Sequence, residues 1–246
     1  MPRNKVARQL RKHLLKALEY IITNSDFASL PGDQCKFVSS AYNRLKTTGN
    51  DRNWNIEITQ FEVPIEDQKL DPHSPTLLMG GIMQVKNGMP THLSFSVCVT
   101  FTTKDNAVEC GKIVNAPSCC LPGYLNQKML VRRFHFDFQP SISPSSHVQY
   151  GGIFHENGHV TDCHYCLEHF LENPRIHYPP IDLVLLLDLM IREFETVLKN
   201  WRQETNWRSL VLKSQDLWWK DYWNRSAIHI NDPRGVTFHE RIYGER

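Results

Sequence analysis

The N-terminal part of the chain carries the hydrophobic pattern of an amphipathic helix. Apolar residues recur three and four positions apart over residues 4–23, which places them on one helical face. The members of that face are Val6, Leu10, Leu14, Ala17, Leu18 and Ile21. Asn24-Ser25 and Pro31-Gly32 then break the pattern. A second helix is predicted over residues 33–46.

From Trp54 onward the period of the pattern changes to two, which indicates the strands of a sheet. The first two predicted strands cover residues 54–63 and 76–85, and Gly80-Gly81 marks a bulge or a close backbone contact in the second. The third predicted strand, residues 91–101, alternates most clearly. Its apolar side is formed by Leu93, Phe95, Val97, Val99 and Phe101.

The remaining elements are predicted from the same signals. Strands are expected over residues 107–114, 128–138 and 147–154, with a loop over 115–126. Helices are expected over residues 161–171, 181–199 and 208–223. Pro179-Pro180 precedes the second of these helices, in agreement with the preference of proline for a first helical turn.

The order of these elements predicts an α+β fold: an N-terminal amphipathic helix, a central antiparallel sheet of about five to six strands, and C-terminal helices packed on the sheet. We expect one domain over residues 1–246. Its helical N-terminal part covers residues 1–50, its sheet residues 51–157 and its helical C-terminal part residues 158–226.

Charge changes this picture locally rather than globally. The formal net charge is only +2, but six basic residues precede the first acid, Glu19. They are Arg3, Lys5, Arg8, Arg11, Lys12 and Lys16. They predict a basic face on the first helix that suits the phosphates of a nucleic acid or a nucleotide, although such a face is often only the solvated side of a helix.

The cysteines and the apolar stretches bear on the compartment. Seven cysteines, with Cys119 and Cys120 adjacent, do not form the pattern of a paired disulfide framework, which favours a reducing compartment. No run of 18 apolar residues is present, and the start of the chain lacks the pattern of a secretion signal. We therefore expect a cytoplasmic protein without a membrane span.

A cysteine and histidine cluster raises the hypothesis of a zinc site. His159, Cys163, Cys166 and His169 include a Cys-x-x-Cys pair, a common half of a tetrahedral zinc site. If residues 161–171 form a helix, however, both cysteines fall on its apolar stripe, where cysteine packs as a small hydrophobe. The pattern favours a core-facing helix over a zinc site and leaves zinc as an alternative.

The hairpin before this cluster carries the sharper signal. In residues 133–138, Phe134, Phe136 and Phe138 share one face, while Arg133, His135 and Asp137 share the other. In the next predicted strand His147 and Gln149 share a face. One register of the hairpin places Asp137 opposite His147 and His135 opposite Gln149, so that the four polar side chains converge. A slip by one residue would separate them.

This polar face predicts hydrolytic chemistry. A histidine beside a carboxylate has the fixed tautomer of a general base, and His135, Asp137 and His147 together are also a ligand set for a divalent metal ion. Arg133 and Arg132 are candidates for holding a phosphate, and Gly151 and Gly152 allow a ligand to approach the backbone. The prediction is therefore a hydrolase, and more specifically a nuclease or phosphodiesterase. The structural alternative is a polar sheet face whose cross-strand pairs only fix the register.

A second functional hypothesis is a non-catalytic accessory protein. Five of the six tryptophans lie between Trp201 and Trp223. Such a cluster either packs helices together or forms a partner interface. The candidates for a protein interface are Trp207, Trp218, Trp219 and Trp223. No Gly-x-Ser-x-Gly elbow, phosphate-binding loop or dinucleotide fingerprint is present, which argues against serine hydrolases, nucleotide hydrolases and dehydrogenases of those types.

Overall fold

The computed structural model describes residues 3–30, 32, 34–65, 75–102, 128–139, 146–150, 154–156, 159–161 and 176–231. Helices occupy both ends of this part of the chain. They are α1 (Arg3–Thr23), α2 (Ser25–Ala28), α3 (Gln34–Thr47), α4 (Leu183–Glu193) and α5 (Thr205–Asn231). A short 3-10 helix, Lys199–Gln203, lies between α4 and α5. Within the described residues no helix is long and apolar enough to cross a membrane.

The strands between the helices form an antiparallel sheet of six strands. They are β1 (Trp54–Pro64), β2 (Pro75–Lys86), β3 (Met89–Thr102), β4 (Lys128–Phe138), β5 (Ser146–Tyr150) and β8 (Ile176–His177), and they pair in that order. Two further strands, β6 (Phe154–Glu156) and β7 (His159–Thr161), pair with each other in a separate two-stranded sheet. The predicted α+β fold with an antiparallel sheet is confirmed.

Several predicted element bounds differ from the structure. The strand predicted over 147–154 ends at Tyr150, because residues 154–156 pair with β7 instead. The helix predicted over 161–171 begins at a residue that belongs to β7, and the rest of it lies outside the described residues. The strand predicted over 107–114 and the loop over 115–126 also lie outside them.

One face of the sheet holds the core. The side chains of Leu93, Phe95 and Val97 on β3 are buried together with the apolar faces of α1 and α3. Helix α5 reaches the same face, where the ring of Trp218 meets that of Phe138 edge-on at a centroid distance of 6.1 Å. The apolar side chains of the strands therefore determine which face of the sheet the helices cover. The polar side chains that alternate with them point to the other face.

The edge of the sheet formed by β1 is covered by hydrogen bonds with side chains of α3. Among the described strands β1 pairs with β2 alone, so most backbone groups on its other side have no strand partner. The guanidinium of Arg44 donates to the carbonyl of Glu57 at 2.6 Å, and the side-chain carbonyl of Gln34 accepts from the backbone N–H of Glu62 at 2.7 Å. Both covering residues belong to α3, so this helix protects the edge strand as well as packing on the core.

The predicted helix over 181–199 is two elements. Helix α4 begins after Asp182, whose carboxylate accepts from the backbone N–H of Leu185, and it ends at Glu193. Glu195 takes a φ of 44°, and the chain turns so that the N–H of Val197 donates to the carbonyl of Pro64. The apolar residues that follow keep a helical spacing, which is why the periodicity alone does not detect the break.

The close contact predicted at Gly80-Gly81 is present. The pairing of β1 with β2 shifts between Ile58 and Phe61, so that Gly80 lies against a bulge. A Cβ atom built on Gly81 would lie 2.8 Å from the Cα and 2.6 Å from the Cδ1 of Phe95. Neither atom has room to move, because Phe95 is buried in the core.

We therefore expect Gly81→Ala to lower the free energy of unfolding by about 1–3 kcal/mol, the usual cost of overpacking. Urea unfolding of the variant measures this loss. Gly49→Ala is the matched control, because nothing lies within 4 Å of a Cβ atom at that position. Equal stabilities of the two variants would contradict the close approach of β2 and β3.

A buried polar network joins three helical elements beneath the surface. Asp182 accepts hydrogen bonds from the hydroxyl of Ser214 at 2.7 Å and from the indole N–H of Trp218 at 3.0 Å. The Nε2 atom of His13 lies 2.7 Å from the same Ser214 oxygen. Because the one hydroxyl proton of Ser214 is donated to Asp182, His13 must donate from Nε2. This network connects α1, α5 and the start of α4.

Burial lowers the pKa of His13 below its usual 6.5, with Asp182 opposing the shift and Lys213 and Lys16 adding to it. The unfolded chain therefore binds a proton over a range of pH in which the folded chain does not. The free energy of unfolding is therefore highest above about pH 6.5 and falls as the pH drops toward the lowered pKa of the folded state.

We expect urea unfolding of the wild type to show this fall in the free energy of unfolding with decreasing pH. In the His13→Gln variant, the part of the fall that comes from protonation of His13 should be absent. If the free energy of unfolding of the variant depended on pH as that of the wild type does, the assignment of this fall to His13 would be wrong.

Candidate active site

Strand β4 positions the candidate site from the middle of the sheet. It pairs with β3 on one side and β5 on the other. On the β5 side Asp137 lies opposite His147 and His135 opposite Gln149, so the predicted register of the hairpin is confirmed. On the β3 side Ser94 lies opposite Asp137. The predicted polar residues therefore share one face of three neighbouring strands.

The carboxylate of Asp137 lies between the two imidazoles. Its Oδ1 atom is 3.3 Å from Nε2 of His135, and its Oδ2 atom is 3.7 Å from Nε2 of His147. The Nε2 atom of His135 also lies 2.7 Å from the hydroxyl oxygen of Ser94. We call Ser94, His135, Asp137 and His147 the hairpin cluster. Within it, the shortest contact is the hydrogen bond between His135 and Ser94.

The carboxylate determines which atom carries the proton in that bond. If the hydroxyl of Ser94 donated to His135, the Nε2 lone pair would have to face the negative charge of Asp137 as well. A proton on Nε2 removes this repulsion, and His135 then donates to Ser94. Asp137 Oδ1, which is buried, accepts no hydrogen bond from the described residues in spite of its closeness to His135. The geometry therefore makes His135 a proton donor and does not activate Ser94 as a nucleophile.

Exposure divides the hairpin cluster into two halves. The side chains of His135 and Asp137 are 22% and 21% exposed, so water and a ligand can reach them. The side chain of His147 is only 2% exposed, and Gln149 beside it is also buried. His147 and Gln149 therefore support the site from below, and neither is placed to meet a substrate directly.

The other predicted site residues are located only in part. Arg132 and Arg133 belong to β4, where they pair with Val99 and Cys98. Gly151 and Gly152 lie outside the described residues. Of the alternative zinc set, His159 lies in β7, while Cys163, Cys166 and His169 lie outside the described part of the chain. The zinc alternative therefore stays a prediction.

The arrangement of donors does not favour the predicted divalent metal ion. Among the described residues no group of three or more His, Cys, Asp or Glu side chains is arranged to hold a metal ion. The Nε2 atom of His135 already shares a hydrogen bond with Ser94. A metal bound by His135, Asp137 and His147 would have to displace that bond. The metal-binding role of these three residues stays a prediction.

Sequence reasoning missed Ser94. The residue is an ordinary serine on the polar side of β3, 41 positions from His135 in the chain. The alternation of β3 already separates Ser94 and Ser96 from the apolar side chains. The missing information was the pairing of β3 with β4, which no local pattern contains, because about 25 residues of unrelated sequence separate the two strands.

The predicted tryptophan interface is corrected by burial. Trp207 and Trp218 are buried, and their indole N–H groups donate to Asp188 and Asp182. The indole of Trp219 donates to the carbonyl of Pro180. These side chains pack α5 against the rest of the protein, so Trp207 and Trp218 do not offer a surface to a partner. Of the four, Trp223 is the one with a largely exposed side chain, at 53%.

Because His147 is buried opposite Asp137, we expect His147→Ala to destabilise the fold by about 1–3 kcal/mol. Truncation would leave the carboxylate without its inner neighbour and open a cavity beneath the hairpin. Ser96→Ala is the matched control, since Ser96 lies on the same face opposite His135 and we expect a change within about 0.5 kcal/mol. Thermal or urea unfolding compares the two, and a neutral His147→Ala variant would show that the site tolerates loss of this support.

Comparisons with known proteins do not assign the chain to a family. No family model matches the chain, and neither the curated proteins nor the solved structures include a significant match to it. A function for the chain therefore has to be argued from the hairpin cluster and the surfaces around it.

Proposed function

We propose that the chain is a cytosolic hydrolase of phosphodiester bonds, a nuclease or phosphodiesterase, in which His135 transfers a proton and Asp137 orients it. The observation that supports this proposal is the carboxylate of Asp137 between two imidazoles, with the outer imidazole accessible. A carboxylate beside an imidazole stabilises the imidazolium form and fixes its orientation. Both properties are required of a group that donates a proton to a leaving oxygen.

The roles within the proposed mechanism follow from exposure and from the position of the proton. His135 lies at the accessible side of the hairpin cluster, so we assign it the role of general acid. Because its Nε2–H is held by Ser94, the proton it transfers in this proposal is the Nδ1 proton of the imidazolium form. Asp137 stabilises the charge on His135, and Ser94 holds the ring by accepting from Nε2. His147 is buried opposite Asp137, with its Nε2 atom 3.7 Å from Oδ2, so in this proposal it packs against the carboxylate rather than acting on the substrate.

The choice of a phosphodiester rests on charge. Arg132 and Arg133 precede His135 in the same strand, and guanidinium groups bind phosphate with two parallel hydrogen bonds. In this proposal the guanidinium groups would bind the phosphate, water would attack phosphorus, and His135 would protonate the departing alkoxide. The cytosolic location is supported by the odd number of cysteines and by Cys35, which forms no disulfide in the described part of the chain.

The test is an assay of the purified chain against an activated phosphodiester, single-stranded RNA and duplex DNA, each with and without divalent ions. We expect His135→Ala to lower the rate about 100-fold or more, the usual contribution of a general acid. Asp137→Asn should lower it similarly, because a neutral amide no longer stabilises the imidazolium.

Ser96→Ala is the control for both variants and should retain the full rate. Unfolding midpoints of all three variants must stay close to that of the wild type, so that loss of activity reports chemistry. Absence of hydrolysis in every condition, or a loss of rate that merely follows unfolding, would overturn the proposal.

A second candidate function is that of a non-catalytic accessory protein, in which the hairpin cluster only fixes the strand register. The burial of His147 and Gln149 favours this second function, because buried polar groups often specify a unique packing, here the register of the paired strands. The two candidates differ in the outcome for His135. A purely structural cluster predicts that His135→Ala lowers stability and changes no reaction.

A further inference from the structure

The exposed face of α1 carries a row of cations at helical spacing. Lys5, Arg8, Lys12 and Lys16 are all exposed and follow one another three or four positions apart. Successive members of such a row lie about one helical turn, or 5.4 Å, apart along the axis. The row faces away from the sheet, because the opposite side of α1 is buried in the core.

The members of this row differ in whether their charge is already neutralised. Asp51 pairs with Arg8 at 3.0 Å and with the partly buried Arg11 at 2.7 Å. The two guanidinium groups hold the pKa of the Asp51 carboxyl below its usual range. In contrast, Lys5, Lys12 and Lys16 make no ion pair or hydrogen bond within the described residues. Within the described residues, no carboxylate therefore lies within ion-pair distance of these three like charges.

Arg11 has a structural task that separates it from the row. Its guanidinium donates to the carbonyls of Leu45 and Lys46 at the end of α3 as well as to Asp51. Cations at the end of a helix stabilise its unsatisfied carbonyls. The contacts of Arg11 within the fold therefore account for this basic residue of α1. No such contact within the described residues accounts for the three lysines.

An open groove runs along the basic side of α1. The groove along α1 is lined by four cationic side chains and two carboxylates, those of Glu19 and Asp51. The lysine row runs along about three turns of the helix, so this excess of positive charge fits an extended anion better than a compact one.

The buried side of α1 decides between two sources of extended anions. A helix that binds a membrane surface inserts its apolar face among the lipids. Leu10, Leu14, Leu18 and Ile21 are instead buried in the protein core, so α1 has no apolar face to insert. Phosphate groups of a nucleic acid need only the exposed charges.

We propose that the exposed lysine row of α1, formed by Lys5, Lys12 and Lys16, binds the phosphate backbone of nucleic acid without reading its sequence. The surface lies on the helical side of the sheet, away from the hairpin cluster. Binding here is therefore independent of the proposed hydrolysis, and the two proposals fail separately.

The test measures binding of the full chain to short fluorescent duplex DNA and single-stranded RNA by anisotropy, in EDTA and at several salt concentrations. The triple variant Lys5→Gln, Lys12→Gln, Lys16→Gln should bind more weakly for every sequence and lose about three units of the salt slope on duplex DNA. Between about 50 and 200 mM salt, the wild type should then lose about 40-fold more affinity than the variant.

The control is a second triple variant that removes the same charge elsewhere: Arg52→Gln, Lys86→Gln, Arg202→Gln. These residues are exposed and make no ion pair in the described part of the chain. Equal weakening by both triple variants, or no measurable binding by the wild type at low salt, would overturn the proposal. So would binding to phosphatidylserine vesicles in the absence of binding to either nucleic acid.

Discussion

The pairing of β4 between β3 and β5 is the constraint on which the candidate site depends. Three phenylalanines on one face of β4 pack against the core, and Phe136 among them is buried beside Tyr178. Because successive side chains of a strand alternate, anchoring these rings also fixes the direction of His135 and Asp137. The apolar face thus sets the register of the polar face, and the contacts of the hairpin cluster follow from it.

Much of the fold follows from local pattern, because burial on one side of an element produces a period in the sequence. The period of α1, of α3 and of the first three strands is strong, and each of these elements is found where it was predicted. The break after Glu193 has no such signal. It depends on the contact between Pro64 and Val197, which are far apart in the chain, while the apolar spacing runs on through the turn.

The candidate site shows the same division between local and distant information. The register of the β4–β5 hairpin follows from two short patterns that are nearly adjacent, so the meeting of Asp137 with His147 was predictable. The contact of His135 with Ser94 and the burial of His147 depend on strands and coverage from elsewhere in the chain. The burial of His147 could not be predicted from the alternation of β5, which places it on the polar face.

The protection of β1 by α3 has a consequence for how the chain is made and divided. Arg44 and Gln34 reach the edge strand from a helix that precedes it in the sequence, so the residues that cover the edge are synthesised before the strand. A fragment that began after α3 would retain a long strand of alternating apolar residues with one side unoccupied. Such an edge pairs readily with a copy of itself. Helix α3 therefore covers an edge that would otherwise be open to pairing with another strand.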